Sequence, residues 1–146
     1  MTEAEHQILV MCWAKKVMAI CSDESSDFFC NGGRAELDIL FHIPNGGGRS
    51  KSEGAKFKAM GVKAGVPDLC LPVARNGYNN LWIEMKVEGG TTSEAQDKCH
   101  RSLERNGGKV VVAYGWKNAV EAICEYLGGK WPDVENEMEV MAHRLV

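Results

Sequence analysis

The chain has 146 residues, 45% of them hydrophobic and 25% charged, with a formal net charge of −3. That length suits one domain with a single real core, and the composition is that of a globular chain rather than a disordered or fibrous one. No run of about 18 apolar residues occurs, which argues against a membrane-spanning helix; the mildly acidic balance argues against an evenly basic nucleic-acid binder.

The opening residues are acidic and lack the basic-then-apolar layout of a secretory signal, so a cytoplasmic location is expected. Six cysteines (Cys12, Cys21, Cys30, Cys70, Cys99, Cys124) are irregularly spaced with no CxxC pair. They read as reduced, mostly buried thiols rather than as a zinc site or a disulfide framework. His6, His42, His100 and His143 are scattered and make no ligand pair, so each reads as structural or exposed.

In chain order, residues 2–20 predict a helix, because Val10, Trp13, Val17 and Ile20 recur at three- and four-residue steps with Ala14 alongside. Leu37, Ile39, Phe41 and Ile43 alternate, which predicts a strand over residues 37–43. Pro44-Asn45-Gly46-Gly47-Gly48 breaks the chain into a loop, and residues 52–60 predict a short helix ended by Gly61. Two strands, 69–73 and 81–87, flank a turn containing Asn76-Gly77, so they predict a hairpin. A helix over 93–105, a strand over 109–114 and a helix over 117–127 follow, and Pro132 opens a last acidic helix. The order α, β, α, β, β, α, β, α, α predicts an α/β sandwich with a central mixed sheet flanked by helices.

The charge is unevenly distributed. Between Arg49 and Lys63 five basic residues (Arg49, Lys51, Lys56, Lys58, Lys63) face one acid, Glu53, whereas residues 133–139 carry four acids and no base. Such a run suits a surface that tracks phosphates, although a solvated helix face reads the same way. Residues 46–51 lack the GxxxxGK[ST] spacing of a nucleotide-binding P-loop, so no nucleotide cofactor is expected.

The stretch Gly65-Val66-Pro67-Asp68-Leu69, followed by Trp82-Ile83-Glu84-Met85-Lys86, carries the chemistry. On a strand Glu84 and Lys86 share a face. A hairpin centred near Gly77 sets Asp68 across from Lys86 and diagonal to Glu84, within about 5–8 Å. Two carboxylates that close can share one hard divalent cation. Hydrolysis of an anionic phosphodiester needs charge neutralisation and an activated water, which bound Mg²⁺ or Mn²⁺ supplies, and a neighbouring ammonium stabilises the charge that develops.

With Ile43-Pro44-Asn45-Gly46-Gly47, the Gly61-to-Leu69 run, Trp82-Ile83-Glu84-Met85-Lys86 and Thr92-Ser93-Glu94-Ala95-Gln96 in order, the chain resembles a known family. This is the virus-type replication-repair nuclease (VRR-NUC) domain of the PD-(D/E)xK superfamily, and the resemblance runs over residues 2–127. It implies a restriction-endonuclease-like fold and Mg²⁺- or Mn²⁺-dependent DNA cleavage, with Asp68 and Glu84 on the metal, Lys86 catalytic and Gln96 the other signature polar residue. It places the helix-1 metal acid at Glu3, since Glu3 and Gln7 resemble a Glu-x-x-x-Gln opening, with Glu5 the alternative. Ser93-x-x-Gln96 also reads as a capping box, and both roles for Gln96 can hold together.

The resemblance further implies structured substrates such as branched DNA or four-way junctions. Symmetric cutting of a junction needs two active sites, so a homodimer is expected. Residues 1–128 form the expected nuclease domain and 129–146 an acidic helical extension, either an interface helix or a mask over the basic groove. A compact lone domain of this kind is in keeping with a phage or prophage origin and a bacterial cytoplasm. Two rivals are weighed: a degenerate DNA-binding or scaffolding module, which would have lost a carboxylate or the lysine, and a hydrolase of small phosphoesters, which would want an enclosed pocket.

Overall fold

A computed structural model describes residues 1–29, 34–44 and 50–146. Helix α1 (Glu3–Ser22) starts where Thr2 accepts from the Glu5 backbone N–H while the Glu5 carboxylate accepts from that of Thr2. This reciprocal cap satisfies two N–H groups left without helical partners. Leu9, Val10, Trp13, Ala14, Val17 and Cys21 form its buried stripe, and the helix runs two residues beyond Ile20, which brings Cys21 into the core.

The strand expected over residues 37–43 is largely replaced by a 3₁₀ helix at Ala35–Ile39, leaving only β1 (Phe41–His42) as strand. Burial explains the difference. Leu37 and Leu40 are the buried pair, while Ile39 and Phe41 are exposed; spacing of three suits a 3₁₀ turn, not an alternating strand. Helix α2 (Lys51–Ala59) has a second reciprocal cap, from Ser50 and Glu53, and buries none of its residues.

Strands β2 (Leu69–Leu71), β3 (Asn80–Lys86) and β4 (Gly108–Tyr114) complete the sheet, in the order β1-β2-β3-β4. The first two pairings are antiparallel; β3 and β4 are parallel and joined through α3 (Glu94–Arg105). Helices α4 (Trp116–Leu127) and α5 (Glu135–Leu145) follow. The result is an α/β sandwich. Leu69, Leu71, Leu81, Ile83 and Met85 turn one sheet face toward α1 and α4, and α5 adds Met138 and Ala142 to the same core. Helix α3 contributes nothing to that core and packs instead beside β4.

The hairpin register departs from the expected one. Asn76 and Gly77 both have positive φ, 53° and 82°, and Arg75 and Tyr78 exchange both backbone hydrogen bonds around them. This is the two-residue turn that Asn-Gly favours. Further along, however, Leu71 faces Leu81 and Leu69 faces Ile83, so one extra residue lies on the β2 side. It sits at Pro72, where the Val73 N–H donates back to the Leu71 carbonyl at 2.9 Å. Proline, having no N–H to offer the ladder, is suited to such a bulge. Continuing the register by one step sets Asp68 opposite Glu84, not Lys86. Without the extra residue Asp68 would face Met85, on the wrong side of the sheet.

Candidate active site

Asp68 leaves β2 at the start of its antiparallel pairing, and its Oδ2 accepts from the Met85 N–H at 2.8 Å. The side chain thus takes the place of a ladder carbonyl and is held to β3 beside Glu84. The Asp68 carbonyl accepts from Ile43 N–H and is 2.8 Å from His42 Nδ1. Both sides of the residue are therefore fixed by sheet contacts.

Glu84 is only 2% exposed and Lys86 9%, so the polar face of β3 is not a solvated one. Helix α3 covers it. Gln96 Nε2 donates to Glu84 Oε1 at 2.8 Å, and His100 Nε2 lies 3.2 Å from Glu84 Oε2. Gln96 also caps its own helix, since its Oε1 accepts from Ser93 N–H while Ser93 Oγ accepts from Gln96 N–H. Gln96 thus makes two contacts at once, its amide oxygen serving the cap and its amide nitrogen the Glu84 carboxylate.

Burial, and then the adjacent negative charge of Asp68 and a hydrogen bond with it, push the Glu84 carboxyl up to about 8, against the opposing pull of Lys86. Burial likewise holds the His100 imidazole below its ordinary range. Two acids forced together in a dry setting are relieved by a positive charge between them. Among the described residues no three His, Cys, Asp or Glu side chains form a complete metal cage. A pair of carboxylates fits Mg²⁺, which keeps several of its waters and takes one or two protein carboxylates.

The two acids of the first turn of α1 separate cleanly. Glu5 is spent on the helix cap, which lowers its carboxyl below the ordinary value. Glu3 Oε1 instead lies 3.8 Å from Lys86 Nζ. Glu3, Gln7, His42, Pro44, Asp68 and Met85 line an open cleft of about 260 Å³. The α1 N-terminus, β1 and the residue that opens β2 therefore meet at one place, where Glu3 also contacts Lys86.

Of the basic run, Lys51, Lys56, Lys58 and Lys63 are all exposed, and Arg49, with Gly46 to Gly48, lies outside the described residues. The chain that carries these lysines leaves the cleft at Pro44 and returns to it at Asp68. Lys63 also lines a groove of about 520 Å³ with Ala64, Ala95, Lys98, Cys99 and Ser102, on the flank of α3. Lys98 lies far outside the basic run in the sequence, and only the fold groups it with Lys63.

Two histidines at the site, His100 and His42, are residues that the sequence reading left as structural or exposed. His100 is four residues beyond Gln96, so the two share a helix face, and that spacing was the available signal. His42 sits on the edge strand against Asp68. His6 is structural: its Nδ1 accepts from Trp116 N–H, joining α1 to α4. The five described cysteines are in the thiol form, with burial pushing Cys70 up to about 11 and Cys124 up to about 12.

A profile of the VRR-NUC domain matches residues 2–117. A solved structure described as a VRR_NUC domain protein is similar to the chain at 34% identity and a TM-score of 0.67, over 87% of this chain and 88% of that one. A comparison with curated proteins finds no match.

Proposed function

Since the chain belongs to the VRR-NUC family, a nuclease-type family, we propose that it is a Mg²⁺- or Mn²⁺-dependent DNA endonuclease acting on branched DNA such as four-way junctions. The observation that carries this reading is that Asp68 is held on β3 next to Glu84 while Lys86 meets Glu3, at an open cleft lined by Glu3 and Asp68.

Asp68 and Glu84 would hold the cation, with Glu3, which lines the same cleft as Asp68, as the third acid at the site. When bound, the metal neutralises phosphate charge and supplies an activated water. Lys86, on the same face of β3 as Glu84, would stabilise the negative charge that grows on the phosphate oxygens. Glu3 directs the lysine ammonium through their contact. Gln96 holds Glu84 in place. Lys51, Lys56, Lys58 and Lys63, with Arg49, contact flanking phosphates without reading sequence, and the Lys63–Lys98 groove continues that path along α3.

Symmetric cleavage of a junction requires two such sites, and a two-fold homodimer provides them. Among the described residues no helix is long and apolar enough to cross a membrane. Residues 129–146 are assigned as an extension to a nuclease domain of residues 1–128, and the working location is the cytoplasm of a bacterial host.

The test is a cleavage assay on four-way junction, flap, single-stranded and linear duplex DNA, with Mg²⁺ or Mn²⁺ and an EDTA control. Cutting that needs metal and falls by at least about 10³-fold in Asp68→Asn is the expected result, since metal and electrostatic terms supply most of such a rate. Junction binding without cutting under either metal would instead assign a degenerate DNA-binding module.

A further inference from the structure

Resting on the nuclease reading of this site, we propose that His100 is a positioning residue which, with Gln96, clamps both oxygens of Glu84 in the geometry that receives the metal. A glutamate on a strand has three rotatable bonds between backbone and carboxylate, and a metal site needs its oxygens fixed to within a few tenths of an ångström. Backbone geometry alone does not achieve this. Helix α3 does, from two points one turn apart: Gln96 Nε2 on Oε1 at 2.8 Å and His100 Nε2 on Oε2 at 3.2 Å.

The clamp leaves the carboxylate usable. Each oxygen has two acceptor directions, about four for the group. One direction per oxygen goes to α3, and the other remains for a cation on the Asp68 side. His100 is itself 7% exposed, so its ring is locked by packing and has few alternative positions.

The same turn of α3 also sets the other carboxylate. Gly65, three residues before Asp68, lies so close to the helix that a Cβ there would stand 2.2 Å from the Ala95 carbonyl oxygen and 2.8 Å from the Gln96 nitrogen. The loop delivering Asp68 is thus seated on the helix that grips Glu84. One rigid element therefore fixes the spacing of both metal-facing acids. Partners of this kind typically contribute 10–100-fold to metal affinity or activity.

The experiment measures Mn²⁺ binding to the full chain by titration calorimetry, together with the metal-induced rise in Tm, for the native protein and three variants. His100→Gln places an amide nitrogen near the native Nε2, His100→Asn stops short of Glu84, and His100→Leu fills the space without a donor. The expected order is near-native binding for Gln and about 10–100-fold weaker binding for Asn and Leu. The matching kinetic signature is a raised metal requirement with most of kcat retained at saturating Mn²⁺.

Equal Mn²⁺ affinity in the native, Gln and Asn forms overturns the clamp, as does a Gln variant no better than Asn when both have native circular dichroism. The Gln and Asn pair keeps this readable even if the Leu variant does not fold. A native protein that binds Mn²⁺ and cuts DNA while the variants bind equally well sinks the clamp alone. A native protein that binds neither Mn²⁺ nor Mg²⁺ sinks the nuclease reading and the clamp with it.

Discussion

Glu84 shows how one residue's environment couples stability to pH. Its carboxyl is raised from an ordinary 4.5 to about 8, burial being the larger cause and Asp68 the next. The folded protein therefore holds a proton at Glu84 that the unfolded chain releases, and folding stability falls where the unfolded state binds fewer protons. The contribution is present in full below about pH 4.5 and is lost as the pH rises through about 8. In EDTA, Tm is expected to drop across that window, and Glu84→Gln is expected to flatten the drop and exceed the native Tm at its alkaline end. Added Mn²⁺ reverses the ranking, because only the native carboxylate binds it; at 100 times Kd the native form gains about 2.7 kcal/mol. Thermal unfolding over pH with and without metal checks both signs. A native Tm that rises with pH in EDTA would contradict the buried, acid-paired setting of Glu84.

At the scale of elements, the site depends on how α3 meets the loop of residues 61–68. Gly65 has a φ of +87° and faces backbone rather than a flexible side chain. Gly65→Ala therefore adds left-handed strain, on the order of 1–3 kcal/mol, to a backbone overlap that the helix cannot relieve by a rotamer change. The expected outcome is a lowered Tm together with weaker Mn²⁺ binding, because the loop that shifts is the one bearing Asp68. Denaturant unfolding and calorimetry on the variant measure the two effects. The control is Gly61→Ala, also at positive φ but with open space around it; it is expected to affect stability without the overlap term and to leave metal affinity alone.

The whole molecule is held by a core that runs from α1 to α5. Met138 is fully buried, and Val134 and Ala142 join the same cluster. Trp131 packs on Trp13 with ring centroids 5.5 Å apart, and the Arg34 guanidinium lies 3.8 Å above its ring. Arg34 also donates to the Gly128 and Lys130 carbonyls, tying the entry to α5 against the segment before β1. The acids Glu135 and Glu139 pair with Lys117 at the start of α4. Met138→Ala is accordingly expected to cost about 2–5 kcal/mol, and removal of residues 130–146 to cost more, both read from chemical denaturation. A truncated chain as stable as the full one would show that α5 is dispensable to the core.

What the sequence by itself determined was local. The Asn76-Gly77 turn, the Ser93–Gln96 cap and most of the core stripe of α1 depend on neighbours within a turn or on periodicity, so they were legible without a fold, while Asp68, Glu84 and Lys86 stood out through the resemblance of ordered segments. The tertiary structure decided what rests on contacts between distant segments. Residues 37–43 alternate convincingly, yet the core accepts Leu37 and Leu40 and leaves Ile39 and Phe41 outside. The Pro72 bulge sets Asp68 opposite Glu84 where an unbulged hairpin would set it opposite Met85. The resemblance ranks Glu3 ahead of Glu5, but only the fold separates them physically, since Glu5 is used by its own helix and Glu3 meets Lys86. His100 was one of four scattered histidines until α3 crossed the sheet and set it on Glu84. Each of these outcomes follows from competition for burial and hydrogen-bond partners across the whole chain, which a reading of local spacing does not contain.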